Sequence, residues 1–215
     1  MPNTTRRSLL SSTLLSGGLA LSGRSPALAG VTPAGDDMES AREKVQRRYF
    51  PDLPLVTHDG KKVRFYDDLI KGKIVTINVM YALCDGVCPG ITANLVKVQR
   101  MLGNRVGREI FMYSITLKPE HDSPQVLKEY REMYRIRSGW TFLTGQPDHL
   151  ETLRRSLGFT NPDPKLDQDK SQHIGNIRYG NEPLIFWAAC PGMAHPEWIA
   201  RSLTWVNGVR EKQGT

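Results

Sequence analysis

Apolar positions along this chain recur with a period of two in some stretches and about 3.6 in others, and the changes of period divide it into strands and helices. Asp59-Gly60 is a hairpin turn signal between Leu55–Thr57 and Lys62–Phe65, and Asp67–Ile70 reads as one helical turn. Lys73–Tyr81 is too continuously apolar for a half-exposed strand and is predicted to be buried on both faces. A helix over Pro89–Leu102 follows, with Ile91, Leu95, Val98 and Leu102 on one side and Pro89 in its first turn. Ile110–Leu117 is a second core strand. Ser123-Pro124 caps a helix running to Tyr134, Trp140–Leu143 is a short strand, and Pro147–Leu157 is a third helix. Ile174–Tyr179 and Pro183–Ala189 are predicted to pair around Gly180-Asn181, and Pro196–Val206 closes the chain as a helix.

The resulting order is hairpin, β, α, β, α, β, α, β-hairpin, α. It predicts an α/β protein of thioredoxin-like fold: a central mixed sheet flanked by helices, with an added N-terminal hairpin. The expected domain spans residues 49–207, after a linker and short helix at 30–48 and before a tail at 208–215. With 215 residues and 39% hydrophobic content, the chain can bury one normal core.

Residues 1–29 have the charge pattern of an export signal. Arg6-Arg7 and Leu9 precede an apolar run to Leu21, and Ala27-Leu28-Ala29 supplies small residues for cleavage. The paired arginines match a twin-arginine signal, so a periplasmic address is expected. The apolar run is short and rich in Ser and Gly, so membrane contact is expected only through a partner or an uncleaved leader. The net charge of +7 includes Arg6, Arg7 and Arg24 of this leader, and no basic stripe is interleaved with aromatics. Nucleic acid is therefore not an expected partner.

Three cysteines are too few for a disulfide scaffold. Cys84 and Cys88 lie in Tyr81-Ala-Leu-Cys84-Asp-Gly-Val-Cys88-Pro89, between the buried strand and the first helix, where thioredoxins carry their dithiol. Cys190 reads as a small buried apolar residue. Two neighbouring thiols can hold a soft metal or cycle between dithiol and disulfide. Helix N-terminal charge favours a thiolate at Cys88, while Asp85 opposes it. Two thiolates suit copper(I), and an added imidazole also suits copper(II). Of the five histidines, His58 reads as an exposed turn residue. His121 falls in a polar loop, His149 early in a helix, and His195 before Pro196. His173 precedes the closing hairpin, whose loops can approach the dithiol end of such a sheet.

The chain resembles the Sco/SenC family of copper-binding, thioredoxin-like proteins over residues 50–190. The motifs are Cys84-x-x-x-Cys88-Pro89, Pro119-Glu120-x-Asp122-Ser123-Pro124 and Ser171-x-His173. The resemblance implies that Cys84, Cys88 and His173 bind one copper ion, as Cu(I) or Cu(II). It further implies assembly of a respiratory copper enzyme such as cytochrome c oxidase, with a copper-enzyme target and a thiol reductant protein as partners. The chain departs from the family pattern at Ala82, Asp85 and Lys118, where Thr, Pro and an acidic residue are usual. The alternative is a periplasmic thiol–disulfide oxidoreductase that uses Cys84 and Cys88 without stable metal. The metal-carrier role is favoured over this enzyme. A peroxidase would need an activating arginine, and Arg100 lies too far along its helix.

Overall fold

The computed structural model describes residues 42–46, 48–169 and 175–208. The expected leader, most of the linker, most of the tail and the candidate ligand His173 lie outside the described residues.

The seven strands are β1 (Pro54–Thr57), β2 (Lys62–Arg64), β3 (Ile74–Met80), β4 (Ile110–Thr116), β5 (Trp140–Thr144), β6 (Asn176–Asn181) and β7 (Phe186–Pro191). They form one mixed sheet in the order β2-β1-β5-β4-β3-β6-β7. β3, β4 and β5 are parallel; β6 runs antiparallel to β3, and β7 to β6. The β1–β2 hairpin joins antiparallel to β5, with Val56 opposite Thr144. This is the expected thioredoxin-like sheet with its added hairpin.

The helices are α1 (Cys88–Leu102), α2 (Pro124–Met133), α3 (Pro147–Ser156), α4 (Pro164–Gln168) and α5 (Pro196–Trp205). Every residue of β3 is buried, as its β-branched, apolar composition requires of a strand covered on both faces. Alternation sends Val75, Ile77 and Val79 to one layer with Phe65, Leu143, Leu153 and Phe159. Ile74 and Met80 face the other layer with Ile91, Leu95, Trp140, Ile199 and Leu203. The predicted face of α1 is the buried one, and α5 packs beside it. Ser123 accepts the Val126 N–H as the N-cap of α2.

Two expectations change. The closing hairpin does not turn at Gly180-Asn181: both residues belong to β6, opposite Trp187 and Phe186, and the turn lies beyond them. Gly180 is there because a Cβ would stand 2.4 Å from the Phe186 carbonyl oxygen and 2.5 Å from the Trp187 ring. His58 is buried rather than exposed; its Nδ1 accepts the Phe142 N–H at 3.2 Å, continuing the pairing of the hairpin with β5. Helix α4 was not anticipated. Asp163 caps it, and the buried guanidinium of Arg154 holds Asp167 within it through two hydrogen bonds.

Candidate functional site

Beyond β3 the chain turns through residues 81–87 and enters α1 at Cys88. The Cys84 N–H donates to the Tyr81 carbonyl at 3.3 Å, which closes the turn and brings the first thiol back over the second. Both sulfurs are free thiols and both side chains are buried, Cys84 8% and Cys88 1% exposed.

The two thiols are polarised in opposite directions. Burial raises the Cys84 thiol, but donors outweigh it: the Cys88 thiol and amide, the Tyr81 hydroxyl and the Gly86 amide all point at this sulfur. The net effect holds Cys84 below the ordinary thiol range. Cys88 is pushed up to about 12, first by burial and then by the Cys84 sulfur beside it. Of the two sulfurs Cys84 is the one favoured as thiolate, a choice that the opposing pulls of the helix end and Asp85 leave open in the sequence. Cys88 does begin α1, but it sits on the core side and acts as the donor. Tyr81 is raised chiefly by donating to Cys84, and its ring lies under the Lys118 ammonium at 4.2 Å.

The second quoted motif meets this loop. Thr116 donates to Asp122 at 2.5 Å, and the Ala82 N–H points at both Asp122 oxygens, at 3.2 and 3.1 Å. The segment between β4 and α2 is thereby tied to the dithiol loop. Asp122 is 1% exposed, and burial raises its carboxyl against these bonds. Neither Tyr81 nor Asp122 was assigned a role from the sequence. Asp122 did stand in a quoted motif, and Tyr81 stood in the cysteine run itself.

Among the described residues no group of three His, Cys, Asp or Glu side chains could hold a metal ion. His58, His121, His149 and His195 therefore do not complete a site with the cysteines. His195 occupies the N-cap position of α5 without a side-chain cap bond and pairs with Glu197. Gly175, the first described residue after His173, packs on the start of α1. A Cβ there would stand 3.0 Å from Ile91 and 3.7 Å from Val87, and its carbonyl accepts the Gly192 N–H at 2.7 Å. Cys190 is buried and its thiol is pushed up to about 11 by that burial, as expected of a core residue.

Comparison with known proteins gives a consistent result. The model of the SCO1/SenC family matches residues 39–180. A Stutzerimonas stutzeri protein named for copper binding is 29% identical over 177 residues, covering 81% of each chain. The copper-bound structure of Bradyrhizobium japonicum ScoI superposes with a TM-score of 0.58 at 24% identity, covering 71% of this chain and 96% of that one. BsSco belongs to the Sco family of cytochrome c oxidase assembly proteins, and a disulfide switch was identified in it. Its structure matches with a TM-score of 0.59 at 21% identity, covering 74% of this chain and 92% of that one.

Proposed function

The chain belongs to the SCO1/SenC family, and from that premise we propose that it is a copper-binding assembly factor. It takes up one copper ion and either delivers it to a respiratory copper enzyme, such as cytochrome c oxidase, or prepares the thiols of that target. The observation that carries this reading is the polarised pair, an activated Cys84 beside a Cys88 that supplies a second sulfur. Two thiolates are soft donors matched to copper(I).

His173 is the proposed third ligand and makes copper(II) a suitable guest. It lies two residues before Gly175, which packs on Val87 and Ile91 at the mouth of α1. Loading replaces the thiol protons of Cys84 and Cys88 with copper, and delivery exchanges those sulfurs for the target's donors. We further propose export to the periplasm by the twin-arginine signal in residues 1–29, with a partner protein keeping the dithiol reduced. Among the described residues no helix is long and apolar enough to cross a membrane.

Copper analysis and absorption spectra of the full chain, Cys84→Ala and His173→Ala test the assignment. One copper per chain is expected, with a copper(II)–thiolate band that Cys84→Ala abolishes. His173→Ala should weaken copper(II) more than copper(I). Unchanged stoichiometry and spectrum in Cys84→Ala would discard the site.

The same pair supports a second reading, thiol–disulfide exchange. Cys84 attacks a target disulfide, one target sulfur leaves as a thiolate, and Cys88 resolves the mixed disulfide. The low thiol at Cys84 and the protonated one at Cys88 favour that division of labour. This activity is independent of His173, which separates it from copper delivery.

A further inference from the structure

Strand alternation sends Ile177 and Tyr179 of β6 into the layer beneath α1 and turns Arg178, between them, to the opposite face of the sheet. There Arg178 lines a cleft of about 220 Å3 with Val45, Tyr49, Phe50, Ile185 and Trp187. The Phe50 and Trp187 rings pack with their centroids 4.3 Å apart. Among the described residues, neither α1 nor the dithiol loop contributes to this cleft.

A buried guanidinium ordinarily needs an anion, and Arg154 has two, Glu151 and Asp167. Arg178 is partly buried and pairs with no carboxylate among the described residues. Its Nε and Nη2 donate to the Leu157 and Gly158 carbonyls just past α3, which fixes the group without neutralising it. Gly158 makes room for it, since a Cβ there would stand 3.0 Å from Nη2. Burial lowers the Arg178 pKa, and no acid opposes that effect. Nη1 makes no hydrogen bond among the described residues and is not sealed from solvent. With the Nε–Nη2 edge committed to carbonyls, the Nη1–Nη2 edge remains as a fork that matches a carboxylate. Arg48, 5.4 Å from the centre of the Tyr49 ring, adds a second cation at the rim.

The apolar wall carries backbone strain. Ile185 has φ +52°, a left-handed conformation that β-branched residues rarely adopt, yet its side chain is 45% exposed and fills no core. Strain of this kind gathers at ligand clamps. We propose that the cleft binds a small free carboxylate with an apolar body, of the arylalkanoate class. The carboxylate takes the open fork of Arg178, and the apolar body lies against Tyr49, Ile185 and Trp187. A cavity of about 150 Å3 accommodates benzene, so 220 Å3 suits one ring with a short acid-bearing chain. The site is separate from the dithiol and does not depend on the copper reading.

Calorimetric titration of the full chain near pH 7 with phenylpropionate, and with the neutral phenylpropionamide, tests the site. The acid should bind about ten-fold tighter than the amide, because only the acid supplies the missing anion. Arg178→Gln should bring the acid down to the level of the amide. Ile185→Asn keeps the guanidinium and its carbonyl bonds, and Asn tolerates the left-handed conformation. Its Tm should therefore not fall, while acid and amide both bind more weakly as the apolar wall recedes. This second variant decides the matter even if Arg178→Gln does not fold. Failure of the native chain to bind the acid, equal binding of acid and amide, a preference that survives Arg178→Gln, or undiminished binding in Ile185→Asn would overturn the proposal.

Discussion

Asp122 holds the backbone of Ala82, with the Ala82 N–H 3.2 and 3.1 Å from its two carboxylate oxygens, across 40 positions of sequence. Because Thr116 donates to the same carboxylate, one buried side chain joins the end of β4 to the loop that bears Cys84. Asp122→Ala strips acceptors from a half-buried N–H and a buried hydroxyl, a loss of about 1–3 kcal/mol for a buried group left unsatisfied and less for the half-buried one. Chemical denaturation should register it, and copper affinity should fall with it because Cys84 lies two residues beyond Ala82. Asp122→Asn keeps one acceptor oxygen and should fall between the two. Native stability and native copper affinity in Asp122→Ala would show that the carboxylate does not support the loop.

His58 makes stability depend on pH. Burial lowers its pKa first, helped by the positive charge of Arg131, against the pull of Asp59. The folded value thus lies below the unfolded value of about 6.5. Its contribution is complete above about pH 6.5 and is lost as pH falls, because the unfolded chain takes up the proton first. Protonation at Nδ1 would also remove the acceptor for Phe142. Asn at this position can offer an oxygen to the same N–H without titrating. His58→Asn should therefore lose less Tm than the native chain between pH 7.5 and 5.5; an equal or steeper loss would contradict the assignment.

Gly180 should tolerate no side chain. The Cβ of Gly180→Ala would meet a carbonyl oxygen at 2.4 Å and the Trp187 ring at 2.5 Å, both held by the β6–β7 ladder. Overpacking of this kind costs about 1–3 kcal/mol. A urea midpoint unchanged from the native chain would mean that the hairpin shifts freely.

That glycine also marks where the sequence misleads. Gly180-Asn181 has turn composition, but the space needed by Trp187 decides the position, and this need comes from the facing strand. The alternation of strands and helices was legible because each element carries its own period: Ile91, Leu95, Val98 and Leu102 repeat on one face whatever they pack against. The dithiol was legible because its two cysteines share one short loop. Relations between distant segments were not legible. His58 looks like a turn residue until β5 covers it, and Arg154 looks like a surface charge until Asp167 meets it. The placing of the thiolate at Cys84 was not legible for the same reason. Helix charge alone favours Cys88, but the burial of Cys88 and the Tyr81 hydroxyl are consequences of the folded loop.

Tyr81 gives the sharpest test of that polarity. Its hydroxyl donates to Cys84, so Tyr81→Phe removes one stabilising partner while leaving the ring beneath Lys118. Hydrogen bonds to charged groups contribute about 1.5–3 kcal/mol. The amides of Gly86 and Cys88 remain and compensate in part, so the Cys84 pKa should rise without losing all of its depression. In the native chain, iodoacetamide near pH 7 should label Cys84 first, ahead of Cys88 and Cys190, whose thiols are both pushed up by burial. In Tyr81→Phe the pH at half-maximal rate should move upward, and labelling near pH 7 should slow several-fold, because the thiolate fraction falls faster than intrinsic nucleophilicity rises. First labelling at Cys88, or a profile that Tyr81→Phe leaves in place, would assign the reactive sulfur differently and with it the atom that a partner must reach.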